Sequence, residues 1–212
     1  MAQDAFFTDG AAYERRMARW TRAAGAIFLD WVAPPSGLRW LDVGCGTGAF
    51  TELVLEMCSP AALVAVDPSA AQIEVARNKY IAQRADFRVA DAQSLPYADG
   101  SFDVVASALV INFIPDRPRA LAEMRRVGAP GGLVAGYVWD LIAGPSPSYP
   151  IRTGLSRIGI KFPPIPGTED SHLDALGSLF AAGGLVDIAT RTIDVTTTFP
   201  DFDDFWRMQT PT

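Results

Sequence analysis

The sequence is poor in residues that carry acid–base, metal and redox chemistry. Of its 212 residues one is a histidine, His172, and two are cysteines, Cys45 and Cys58. Two cysteines with neither zinc-type spacing nor a paired framework argue against a metal-stapled or disulfide-built fold. No apolar run reaches the roughly 18 residues needed to cross a bilayer, so no membrane span is expected. The opening MAQDAFFTDG lacks the basic segment and apolar core of a secretory leader. Positive charge is also short. Eighteen basic against twenty-four acidic residues give a net charge of −6, and Arg125-Arg126 is the tightest basic cluster, which predicts no nucleic-acid partner. Repeats and low-complexity tracts are missing. What remains is 49% apolar and 20% charged, the composition of a folded domain. A chain of this length buries roughly 70% of its unfolded surface and needs no covalent staple. The expected setting is the cytoplasm.

Residues 11–32 carry apolar positions at helical spacing, with Met17, Trp20, Ala24, Ile27, Phe28 and Trp31 on one broad face. Pro34-Pro35 stops that helix. Short apolar runs then alternate with helical stretches. Strands are expected at Leu38 to Val43, Leu63 to Val66, Phe87 to Val89, Phe102 to Leu109 and Leu133 to Trp139. Helices are expected near 48–57, over 69–82 with Ser69 as cap, and over 116–127. Such alternation implies βαβ units, a parallel sheet and right-handed crossovers. Residues 140–170 are dense in proline and glycine yet keep Tyr149, Ile151, Leu155, Ile158 and Phe162, which reads as a lid over a site rather than a solvated loop. A helix is expected over 172–182. Residues 185–199 (LVDIATRTIDVTTTF) alternate and are β-branched, the pattern of a long strand. The chain divides into an N-terminal helical segment (1–35), a core (36–140) and a lid with a terminal helix and strand (141–212).

The strongest local signal is Leu41-Asp42-Val43-Gly44-Cys45-Gly46-Thr47-Gly48, at the end of a strand and the start of a helix. Its glycines let a ligand lie against the main chain, and ligands of open α/β sheets bind at the carboxyl ends of strands. The loop alone leaves three readings open: a methyl-donor site, a dinucleotide site through Gly44, Gly46 and Ala49, or a ligand-free turn. Acids at neighbouring strand ends separate them. Asp42 lies two residues before Gly44, and Asp67 ends the next strand, nineteen residues after Gly48, where a carboxylate can accept from both ribose hydroxyls. Asp91-Ala92 follows the third strand. A dinucleotide site has no need of that acid, whereas an adenine amine does.

LDVGCGTG, VDPS and DAQSLPYADGSFDVV resemble the class I S-adenosylmethionine-dependent methyltransferases, closest to the type 11, ubiquinone/menaquinone-biosynthesis-like set that acts on small molecules. The resemblance spans about residues 36–140. The segment AAYERRMARWTRAAG is similar to the helix that precedes this core in many members. The resemblance implies a Rossmann-like, doubly wound, mostly parallel sheet. It also implies S-adenosyl-L-methionine as cofactor and S-adenosyl-L-homocysteine as product. It places Gly44, Cys45, Gly46 and Gly48 around the methionine and ribose portions, and Asp42 near the amino group. Asp67 falls on the ribose hydroxyls, Pro68 beside the adenine face, Asp91 and Ala92 on the adenine edge, and Ser107 with Ala108 beneath the methyl. Tyr13 is expected to close over the donor from the N-terminal helix. Asn112 stands where members carry a histidine or asparagine.

A sulfonium methyl is already activated, so the chemistry expected is in-line placement, worth roughly 7–11 kcal/mol of the barrier. A base is needed only if the acceptor must lose a proton. Asn112 and His172 are the weak candidates, no pairing points to covalent catalysis, and no metal is expected. Phe6, Phe7, Tyr13, Trp20, Tyr137, Trp139 and Tyr149 are candidates to shape a pocket for a small organic acceptor. The rival readings are an NAD(P)-dependent oxidoreductase, which leaves Asp91 unexplained, and a donor-binding subunit without chemistry of its own. Relatives close the sheet with a sixth and an antiparallel seventh strand. Here 185–199 reads as the sixth and DFDDFWRM as a following helix, so the last strand is expected to be missing. That absence would leave an open edge and favour a homodimer.

Overall fold

The computed structural model describes residues 10–144 and 146–209, with the side chains of all but 10–16, 18 and 209. Helix α1 spans Gly10–Val32 and ends at the proline pair. Strand β1 (Arg39–Val43) leads through the glycine loop into α2 (Ala49–Met57). Strand β2 (Ala62–Asp67) is followed by α3 (Ala70–Arg77), and β3 (Asp86–Val89) by β4 (Phe102–Ala108). Then come α4 (Arg117–Val127), β5 (Gly128–Tyr137), α5 (Tyr149–Arg157), α6 (Leu173–Ala182) and α7 (Phe202–Gln209). The helix expected over 69–82 is shorter than its pattern. Asn78 ends it and Lys79 is extended, so Tyr80–Gln83 continue only as a 3-10 turn.

The strands form one parallel sheet in the order β3-β2-β1-β4-β5. Parallel strands are covered on both faces, which is why Leu41, Val43, Val66, Val104 and Val105 are buried. One core layer joins α1 and α2 to the sheet through Phe28, Phe50, Trp40 and Tyr137. The other packs α4 and α6 beneath it through Leu121, Met124 and Phe180. Strand order reverses between β1 and β4, so the loops leaving those two strands part and open a crevice at their carboxyl ends. The predicted doubly wound sheet is therefore present, with five strands among the described residues.

The strand expected at 185–199 is not formed. Ile193, Val195 and Phe199 turn inward while their neighbours face out, as the alternation requires, but no ladder joins this segment to the sheet. A cleft of about 1100 Å³ separates it from β5. A strand is defined by its hydrogen-bonded neighbour, and here the neighbour stands too far away. β5 itself begins earlier than its apolar run, because Gly128 already pairs with Phe102.

The aromatic contact between α1 and β5 fixes the upper layer. The Phe28 ring centroid lies 4.9 Å from that of Tyr137 and 6.2 Å from that of Phe50. Truncation to Phe28→Ala removes both contacts and leaves a void. It should lower unfolding free energy by about 3–5 kcal/mol in urea titration, while a loss below about 1 kcal/mol would mean the helix does not lean on this ring.

Candidate functional site at the strand tips

Four strand ends meet at the crevice. Asp42 is level with Ala106 of β4, Val43 with Val66 of β2, and Asp67 with Val89 of β3. Asp91 leaves the sheet two residues beyond Val89, and Ser107-Ala108 extend β4 past Asp42. The sequence-predicted acids thus lie on adjoining strands at one end of the sheet.

The loop is shaped by backbone torsion. Gly44, Gly46 and Gly48 have φ of 80°, 55° and 89°, values that side chains resist. Space is tight as well. A Cβ on Gly44 would meet Val110 at 2.5 Å, and one on Gly46 would meet the Gln72 amide oxygen at 2.8 Å. The amides of Gly44 and Cys45 donate to the Val66 carbonyl at 2.7 and 2.9 Å. Asp67 completes the tie: Oδ2 accepts from the Gly46 amide at 3.0 Å, and Oδ1 from the Ser69 amide at 2.9 Å. Each oxygen keeps a further lone pair. Burial raises the Asp67 pKa, and the Ser69 and Gly46 amides act against that rise.

Asp42 is wholly buried. Its Oδ2 accepts from the Thr51 hydroxyl at 2.6 Å, while Oδ1 has no partner. Burial pushes its pKa up to about 7; Thr51 opposes the shift and the nearby Asp67 charge adds to it. Burial, with the charges of Asp42 and Asp67, also holds the Cys45 thiol well above its ordinary value, which leaves it protonated and inert at neutral pH. Helix α2 starts on Gly48 without a side-chain cap, so its first-turn amides are free to meet an anionic group. On β4, Ser107 is buried with its hydroxyl unpartnered.

Asp91 is exposed and closes a turn in which Oδ1 accepts from the Gln93 amide at 2.9 Å. Ala92 is buried beside it, and Pro68 is exposed next to Asp67. Asn112 lies in a short turn just past β4; its side-chain amide donates to the Pro166 carbonyl at 3.4 Å. Arg117 donates to the Asn112 carbonyl at 3.1 Å and pairs with Asp170 at 3.1 Å. Gly167 packs against that carbonyl so tightly that any Cβ would overlap it. Residues 160–171 are therefore fastened to the β4 tip. His172 caps α6, its Nδ1 accepting from the Ala175 amide at 3.4 Å.

Among the pocket aromatics, Tyr137 is core, Trp20 and Trp139 meet edge to face at 6.2 Å, and Tyr149 is exposed. Phe6 and Phe7 lie outside the described residues, as does the side chain of Tyr13. The motif reading passed over Thr51, Gln72, Val110 and Arg117. Their type is unremarkable in sequence, and only the fold brings Gln72 and Val110 against the loop, Thr51 to Asp42, and Arg117 to Asn112 and Asp170.

Donor chemistry can be weighed against this geometry. An uncapped helix start suits a carboxylate, the spare lone pairs of Asp67 suit vicinal hydroxyls, and the strained Leu109 (φ 61°) bends the chain away directly after β4. The residues present fit an amino-acid–nucleoside conjugate. No group of histidine, cysteine, aspartate or glutamate able to hold a metal occurs among the described residues.

Residues 41–136 match the family model described as a methyltransferase domain. The chain is 34% identical over 131 residues to the malonyl-[acyl-carrier protein] O-methyltransferase of Pectobacterium atrosepticum, covering 62% of this chain and 50% of that one. It is 38% identical over 108 residues to the ubiquinone/menaquinone biosynthesis C-methyltransferase of Dinoroseobacter shibae, covering 49% of this chain and 43% of that one. The chain spans about half the length of the curated relatives it matches. Among solved structures, a Thermotoga maritima S-adenosylmethionine-dependent methyltransferase superposes with TM-score 0.60 at 25% identity, covering 81% of this chain and 75% of that one. Sheet order places the protein among the doubly wound, parallel α/β folds. Within them, residues 41–136 match a methyltransferase domain, and the chain is similar to S-adenosylmethionine-dependent methyltransferases.

The Asp42 carboxyl predicts a pH dependence. Unfolded, it titrates near 3.8; folded, near 7. Between those values the folded chain holds more protons than the unfolded one, so stability falls as pH rises through the window and levels off above it. Asp103 and Glu123, held low by Arg39 and Arg126, lose their protons mostly acid of pH 5, and burial raises Asp67 in the same sense as Asp42. Urea midpoints should drop from pH 5 to pH 8, and Asp42→Asn should flatten the drop. A wild-type midpoint that rises over this range would contradict the assignment.

Proposed function

We propose that this chain transfers a methyl group from S-adenosylmethionine to a small organic acceptor. The observation that carries the reading is the Asp67 carboxylate, which grips the glycine loop through Gly46 while keeping lone pairs at the crevice. In this reading Asp67 holds the ribose hydroxyls. The Gly44–Gly48 backbone with the start of α2 receives the methionine portion, and Asp42 faces its amino group. Pro68, Asp91 and Ala92 border the adenine, Ser107 supports the methyl end, and Tyr13 covers the donor from α1.

The bound donor supplies a methyl on a positive sulfur, which keeps the bonding pair and becomes neutral as the acceptor atom bonds the carbon. The protein's share is alignment and exclusion of water. The 160–171 segment, tied down through Asn112 and Arg117, roofs the acceptor side. Neither weak base candidate is free: the Asn112 amide is spent on Pro166, and His172 Nδ1 on its helix. The acceptor therefore arrives as a competent nucleophile or loses its proton to water. The curated relatives named above methylate a carrier-bound malonyl oxygen and a quinone-precursor carbon, which favours an oxygen or carbon acceptor here as well. A cytoplasmic setting matches a chain in which, among the described residues, no helix is long and apolar enough to cross a membrane.

Calorimetry with S-adenosylhomocysteine and with NADH tests the reading. The homocysteine product should bind and NADH should not. Asp67→Ala should weaken the product by about 1.5–3 kcal/mol, roughly 10- to 150-fold. NADH binding alone would replace the reading with an oxidoreductase. Product binding without methyl transfer to any of a panel of phenols, quinols and carboxylic acids would leave a donor-binding subunit.

A further inference from the structure

Asp42 lies near the carboxyl end of β1 with none of its surface exposed. Thr51 holds Oδ2, and Oδ1 has no partner. The groups around it offer no positive charge. From β2 it faces Asp67 and from the glycine loop Cys45, while Ala106, level with it on β4, carries no charge. Helix α2 turns Thr51 to it, whereas Glu52 and Glu56 point outward and pair with Arg22 of α1 at 3.7 and 2.6 Å. The charge that acts on Asp42 is thus that of a second acid. A buried carboxyl with one idle oxygen and an acid beside it rests as the neutral carboxylic acid. With Thr51 donating to Oδ2, the acid proton falls on Oδ1.

The same oxygen, once ionised, is a receptor for a cation. Thr51 belongs to the first turn of α2, whose uncapped start suits a carboxylate. An α-amino acid carries its ammonium on the carbon that bears its carboxylate. A carboxylate seated on that turn therefore brings the ammonium toward Thr51 and Asp42. We propose that Asp42 trades a proton for this ammonium: the proton leaves Oδ1 for solvent as the amino-acid end of S-adenosylmethionine, or of its homocysteine product, takes its place. The exchange rests on the methyl-donor reading and adds the regulation of that site. No bond of the ligand changes, and the balance is one proton delivered to the buffer. Ligand uptake is then linked to pH, weak in acid where the proton is hard to remove and strong above neutrality. Asp42 also becomes a selector for ligands that carry the cation.

Calorimetry in two buffers of different ionisation enthalpy counts the protons released. With S-adenosylhomocysteine the count should be about 0.9 per ligand at pH 6, about one half at pH 7 and about 0.1 at pH 8, and affinity should rise about tenfold from pH 6 to pH 8. 5′-Methylthioadenosine keeps the adenosine and the sulfur but lacks the amino-acid end, so it touches Asp67 without reaching Asp42 and should release none. Asp42→Asn should bind S-adenosylhomocysteine with no release. Thr51→Val keeps the shape and removes the hydroxyl that favours the ionised carboxyl, so release should persist to higher pH. S-adenosylhomocysteine bound at pH 6 with heats independent of buffer overturns the proposal and leaves the methyl-donor reading standing. Equal release by the two ligands overturns it as well, as does an unchanged pH profile in Thr51→Val. No binding of S-adenosylhomocysteine from pH 6 to pH 8 removes the methyl-donor reading and the exchange with it. Should Asp42→Asn fail to fold, the two ligands on the wild-type chain decide.

Discussion

The crevice depends on one carboxylate. Asp67 sits at the end of β2 and accepts simultaneously from the amide of Gly46, on the loop after β1, and from Ser69, at the start of α3. Hydrogen bonds to a charged acceptor are the stronger kind, and these two bind the glycine loop to its neighbouring strand. Without them a loop with left-handed glycines at every second position would be a flexible turn. With them, and with Val110 and Gln72 packed against the loop, the main chain has one shape.

The charge at the site has a cost. Asp42 and Asp67 are both buried, their charges oppose each other, and desolvation lifts both above ordinary carboxylates. A folded chain tolerates such a pair where a cationic ligand is to be received, since a positive group restores the charged form that burial disfavours. Stability at neutral pH is thus lowered by these two side chains.

What could be read from sequence and what could not divide along the range of the interactions. LDVGCGTG is a local signal: strand, torsion-bound glycines and helix start follow one another, and the fold keeps that order. The acids after β2 and β3 were legible because a strand end fixes where its next residue goes. Thr51 and Gln72 were not, since their contacts cross between elements. The 185–199 segment shows the same limit from the other side. Its alternation is real and survives in its burial, yet a strand needs a neighbour, and sequence pattern does not say whether one stands at hydrogen-bonding distance. Likewise 69–82 has helical periodicity throughout, but Asn78 ends the helix early.

The most direct measurement is a crystal structure grown with S-adenosylhomocysteine. Density should lie between the Gly44–Gly48 loop and the tips of β2, β3 and β4, with both ribose hydroxyls on Asp67 and the adenine beside Asp91 and Ala92. Density seated elsewhere, or a ribose turned away from Asp67, would contradict the account.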